Sequence, residues 1–389
     1  MIIRQFLHWV RTAAAGERAE ATGALARAYL YSDLSPDYRA AAEDAMIMLL
    51  DDPSPLVRRA LAEALAASPD APHAVIHALA SDQPDIAAVV LARSPLLIDA
   101  ELVDLVATSA GAPQAAIAAR APLQRAVAAA IAEVGGAEAC LVAIENPHAT
   151  VSASSIARII ERFGHLGAIR EALLARPDLP ISARQTLVRQ LSGALADFVA
   201  GRAWLARERA EELAREACEK ATVTIAALHT EDDTRALIRH LRTSGQLTAG
   251  LVLRALLSGN MAMFEDALAE LSELPLRRVQ ALVHDRGHAG FRAVFDKAGL
   301  PASTYVAFRE ALTAIREAHY DGECVGMNRL KRRMVERALT SCERSDLGDI
   351  EPLMILLRRF AAEAAREDAR INCEQMIAGD HIERSLAAA

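Results

Sequence analysis

The chain has 389 residues, 52% of them hydrophobic but only 4% aromatic, with a formal net charge of −8. That length can fill two or three domains with core. An apolar mass of Ala, Leu, Ile and Val, punctuated by 19 glycines and 15 prolines, predicts an all-helical protein and argues against an α/β enzyme.

At the N-terminus, Ile2, Ile3, Phe6, Leu7 and Val10 form an apolar side interrupted by Arg4 and Arg11. This pattern lacks the continuous core of a signal peptide, and no stretch of 18 apolar residues follows, so no membrane span is expected. Helices are predicted over 17–31 and 36–50, with Ser35 as N-cap and Pro36 in the first turn. Next comes a short Asp-Pro turn at 51–55, where Asp52 can cap the helix that follows. Leu56, Ala60, Leu61 and Ala64 there suggest one apolar stripe.

A phrase then recurs. Residues 91–96 read LARSPL and residues 118–123 read AARAPL, each behind a similar preamble. Related turns stand at 82–84, 146–149 and 177–180. A unit near 30 residues, rich in Ala and Leu, marks stacked helical repeats. Ala60, Ala64, Ala88 and Ala119 are expected at close helix contacts. Residues 1–195 thus read as a HEAT/armadillo-like α-solenoid, 196–228 as a long charged connecting helix within a run over 194–227, and 229–389 as a second helical domain.

The turn-and-helix start at 51–65 resembles the inner helix of a HEAT repeat. The phrases LARSPL, ENPHA and ARPDLP, and the run over 244–301, resemble a family of uncharacterised bacterial helical proteins with HEAT-like repeats, carried as a domain of unknown function. The resemblance spans roughly residues 20–310. It implies an all-α architecture and no particular chemistry.

The residues offer few reactive constellations. The five cysteines, at 140, 218, 324, 342 and 373, never take CxxC spacing and read as free thiols of a reducing cytoplasm. His284 and His288 are four apart, but Gly287 between them signals a helix end, with His284 and Arg286 complementing its dipole. His73 and His77 share the spacing without a third ligand in sequence. Neither GxSxG nor a phosphate-binding glycine motif occurs. No catalytic, cofactor-binding or metal residue is therefore assigned, and no cofactor is expected.

Two polar groups remain as a candidate interaction surface: Asp285, Arg286 and His288, beside Phe264 and Phe291, and the basic run Arg329, Lys331, Arg332 and Arg333. The basic run could instead face acidic residues of the closing helix, such as Asp346, Asp349, Glu351 and Glu363. Basic charge is otherwise almost all arginine, lysine standing only at 220, 297 and 331. Residues 1–200 carry 16 Arg against 22 Asp and Glu, which argues against nucleic acid as a partner. The sequence thus points to a non-enzymatic, cytoplasmic protein-interaction scaffold. The alternative is an enzyme on a HEAT-like array, of the DNA base glycosylase or bilin lyase kind.

Overall fold

The structure, a computed structural model, describes residues 6, 8–285, 288–320, 327–344 and 351–387. Among these, the chain is helical almost throughout, with no strand and one isolated parallel bridge between Leu123 and Ala149. Its contacts divide it into two compact units, Met1–Leu179 and Pro180–Ala389.

The first unit runs through α1 (Ala15–Tyr31), α2 (Pro36–Leu49), α3 (Pro55–Leu65), α4 (His73–Ala80), α5 (Pro84–Arg93), α6 (Asp99–Thr108), α7 (Ala112–Ala118), α8 (Arg125–Val134), α9 (Ala137–Glu145), α10 (Ala153–Phe163) and α11 (Gly167–Ala175). Proline opens α2, α3, α5 and α7, where its missing N–H would have been unpaired anyway. Ser35 and Ser152 cap α2 and α10 through their hydroxyls. Helices this short are marginal alone, so packing must hold them. That packing is local: α1, α3, α5, α7, α9 and α11 contact one another in succession, as do α6, α8 and α10.

The recurring phrases have a specific job in this packing. The last carbonyls of a helix have no intrahelical donor. Here a polar side chain 26 to 32 residues later supplies one. Arg120 donates to the carbonyls of Leu91 (2.6 Å) and Ser94 (2.7 Å) at the end of α5. Asn146 donates to those of Ala118 (2.9 Å) and Arg120 (2.8 Å) at the end of α7. Arg176 reaches Ile144 at the end of α9, and Arg162 closes α8 at Ala132 and Gly135. Farther upstream, Arg18 clasps Asp52, and Arg58 clasps Asp82, through paired contacts of 2.7–3.0 Å. Asp52 also accepts the Ser54 N–H, so it orders the turn rather than capping α3 directly.

The buried stripe of α3 differs from the expected one. Val57, Leu61, Ala62 and Leu65 are buried, whereas Leu56 is 57% exposed. Ala60, Ala64 and Ala88 are half-buried and Ala119 is exposed; the neighbouring alanines Ala62, Ala66, Ala87 and Ala118 are buried instead. The helix begins at Pro55, which leaves Leu56 in the first turn facing out and starts the core register one residue later.

The second unit comprises α12 (Ile181–Gly201), α13 (Arg207–Ala227), α14 (Glu231–Thr243), α15 (Ala249–Leu257), α16 (Met261–Ser272), α17 (Leu276–His284), α18 (His288–Lys297), a 3₁₀ turn at Ala302–Thr304, α19 (Tyr305–Tyr320), α20 (Met327–Glu343) and α21 (Glu351–Ala387). Residues 251–257 of α15 are all buried, so α15 is the central helix. It packs against α13, α16, α19 and α20. Five of the chain's fifteen aromatics gather in ring contact in the same core. Phe295 lies 5.2 Å from Tyr305, 5.5 Å from Phe308 and 5.9 Å from Phe291, and Phe264 lies 6.0 Å from Phe308.

Over 194–227 the chain forms the end of α12 and the whole of α13 rather than one run. The break at 202–206 contains Ala203 in the left-handed region (φ 54°). α12 then pairs with α13. The unit boundary falls at 179/180, before the expected 195, because α12 buries Ile181 in the same core as the helices that follow it.

Candidate functional site

The polar group at 284–288 lies at a helix junction. α17 ends at His284, and the Asp285 N–H closes on the Ala281 carbonyl at 3.1 Å. A new helix starts at His288, so His284 and His288 do not share a helix face. Asp285 is exposed. Arg286 and Gly287 lie outside the described residues. His284 Nε2 stands 2.7 Å from Oε1 of buried Glu265 on α16, whose Oε2 accepts from Gln280 at 2.9 Å. Phe264 and Phe291, expected beside this group as part of a surface, are fully buried core residues. His77, for its part, finds a carboxylate from another helix: its Nε2 is 3.2 Å from Glu101.

The basic run opens α20. Arg329 and Arg332 are exposed, and Arg332 pairs with Glu336 one turn on (2.8 Å). Arg333 lies 3.9 Å from Glu317 of α19, and Arg337 reaches both Glu317 and Glu310 (3.6 Å to the latter). Arg332, Arg333 and Arg337 thus turn towards α19 and their own helix. Of the acidic residues expected opposite them, Asp346 and Asp349 lie outside the described residues.

Lys331 behaves differently. It lines a cavity of about 570 Å³ together with Lys220 of α13, Arg254 of α15, Asn260 at the start of α16, and Phe360 and Glu363 of α21. Arg254 is 4% exposed. Its Nη1 donates to Glu363 at 2.8 Å, and its guanidinium stacks 4.3 Å from the Phe360 ring centre. Its Nε lies 3.7 Å from Glu219 Oε2, too far for a hydrogen bond. Burial raises the Glu219 carboxyl above its ordinary range, partly opposed by Arg254. Nearby, Arg359 bonds Glu212 and Glu216. With Arg209 it pulls Glu212 down to about 2. These pairs fasten α21 to α13 and α15.

A second cavity of about 320 Å³ is lined by Gln185, Cys218 and Gln246, among others. Burial pushes the Cys218 thiol up, which makes it a poor nucleophile. Among the described residues, no three His, Cys, Asp or Glu side chains stand together as metal ligands. No described helix is long and apolar enough to cross a membrane.

Sequence reasoning identified Lys331 but not its neighbours, which come from separate helices. One signal was present: two of the chain's three lysines meet at this cavity.

Residues 86–348 match the model of a family described as "Uncharacterised protein conserved in bacteria (DUF2336)". This chain belongs to that family. The match runs from α5 to beyond α20, so it takes in the recurring phrases and most of the second unit's core. No curated protein and no solved structure matches the chain.

Proposed function

We propose that this protein is a non-enzymatic interaction scaffold whose first unit is a HEAT-like α-solenoid that receives a protein segment on its repeat surface. The packing order of that unit carries the reading. Each helix contacts its near neighbours in sequence, and side chains from the next repeat close its ends. Such an array is stabilised by local interfaces and leaves long faces open to a partner. The acidic balance favours a protein over a nucleic acid. The free thiols at Cys140, Cys218, Cys342 and Cys373 support a reducing, cytoplasmic setting. On the second unit, Asp285, Arg286, His288, Arg329, Arg332 and Arg333 are further candidate contacts.

Photo-cross-linking side chains test this reading. One set replaces exposed Glu63, Glu138 and Glu171 on α3, α9 and α11; the other replaces exposed Asp104, Glu133 and Glu161 on α6, α8 and α10. A protein partner bound along one face gives adducts from one set only, in host cells. No adduct from either set, or equal adducts from both, would count against a repeat-surface scaffold.

A further inference from the structure

The cavity between α13, α15, α20 and α21 has the composition of an anion site. Its lining holds four cationic side chains, Lys220, Arg254, Lys331 and Arg370, against two acidic ones, Glu363 and Glu367. This excess of two positive charges sits in a chain whose net charge is −8. Among the described residues neither lysine has an ion-pair partner, although about half of this unit's arginines do. An unpaired ammonium group in an acidic protein is free to hold an outside anion.

Two buried donors point the same way. Arg254 Nε and Asn260 Nδ2 are both shielded from solvent and have no hydrogen-bond partner among the described residues. Each belongs to a side chain whose other end is already committed. Arg254 gives Nη1 to Glu363. Asn260 accepts the Met263 N–H through Oδ1 at 3.1 Å and so caps α16. A buried polar group left unpaired is costly. Two such donors sit on residues of one lining, covered in this structure; with two lysines that lack an ion-pair partner among the described residues, they offer several donors to one acceptor once that cover is displaced.

We propose that this cavity binds a phosphate-bearing small molecule. A phosphate monoester carries about −1.5 to −2 charges and three acceptor oxygens, which matches the excess positive charge and the number of unspent donors better than a carboxylate does. The lining also carries the apolar side chains Val223, Leu257, Val335 and Phe360. A volume near 570 Å³ leaves room for an organic body against them beside the phosphate. The same chemistry could reach the site on a soluble metabolite or on a phospholipid headgroup.

Phenyl phosphate is a suitable probe, because it joins a phosphate to a short apolar body. Calorimetric titration of the full chain is expected to show millimolar or tighter binding. K220M/K331M should weaken it by at least about tenfold. N260D is the sharper variant: aspartate keeps the helix cap, so melting followed by circular dichroism should be unchanged, yet it replaces the amide donor with a repelling charge. Flotation with phosphatidic acid vesicles separates the two sources. Flotation lost in K220M/K331M assigns the phosphate to a lipid, and phenyl phosphate binding without flotation assigns it to a soluble molecule. Absence of phenyl phosphate binding at millimolar concentration would overturn the proposal. So would binding that K220M/K331M and N260D both leave unchanged.

Discussion

Individual residues decide the register of α3 and the pH response of the second unit. Ala62 is fully buried while Ala60, two positions earlier on the same helix, is half-buried. Ala62→Leu should therefore overpack a close helix contact and cost roughly 1–3 kcal/mol, whereas Ala60→Leu should stay within about 0.5 kcal/mol. Thermal melts of the two variants check this directly; equal midpoints would mean that the two faces are equally packed. Asp266, on α16, is held up to about 6 by burial, with Arg235 opposing the shift and Glu231 and Glu265 adding to it. A raised carboxyl pKa means that the folded chain binds more protons than the unfolded chain between 3.8 and about 6. Stability should therefore fall as pH rises through that window and stay low above it. Asp266→Asn removes the titration. Melts at pH 7.5 should show the variant more stable than the parent, and the gap should close towards pH 4.5. A gap independent of pH would rule out Asp266 as its source.

At the scale of the element, helix ends matter more than helix middles. The helices of the first unit are too short to stand on propensity. What ties them in succession is the closing of one helix's last carbonyls by a side chain about 30 residues later. Asn146→Ala strips donors from the Ala118 and Arg120 carbonyls, and from its own side also the acceptor of the His148 N–H (2.9 Å). The expected loss is about 1–3 kcal/mol, read as a lower denaturant midpoint. Arg93→Ala is the contrasting change. Arg93 stands in LARSPL where Arg120 stands in AARAPL, yet it is exposed and should matter by less than about 0.5 kcal/mol. Comparable losses in the two variants would show that helix-end closure is not what Asn146 contributes.

At the scale of the whole molecule, the two units have separate cores. α12 belongs with the second, where Ile181 joins Val223, Leu237 and Leu256. Fragments 1–179 and 180–389 should each give a helical circular dichroism spectrum and a cooperative melt, because each keeps its own core. A cut at 195 instead should damage the second fragment, since it removes most of α12 from its pairing with α13. If both cuts gave equally well-folded fragments, α12 would not be part of the second core.

The all-helical class follows from the sequence itself. Pro at helix starts, Gly and Asn at breaks, and an aliphatic composition poor in aromatics act locally, and the observed helices Ala15–Tyr31 and Pro36–Leu49 lie close to those expected over 17–31 and 36–50. The recurrence of LARSPL and AARAPL was legible as well, and both phrases stand at helix ends, those of α5 and α7. Which arginine of the two phrases closes a helix end was not, since burial of Arg120 and exposure of Arg93 depend on what packs above them. The register of α3 was missed for a related reason: Leu56 and Val57 are both apolar, and only the partner helix selects between them. The cavity lay furthest from sequence reading. Lys220, Arg254, Asn260, Lys331 and Glu363 have no periodic relation along the chain. Only the tertiary fold, by laying α20 and α21 against α13 and α15, sets two of its three lysines and two unspent donors around one space.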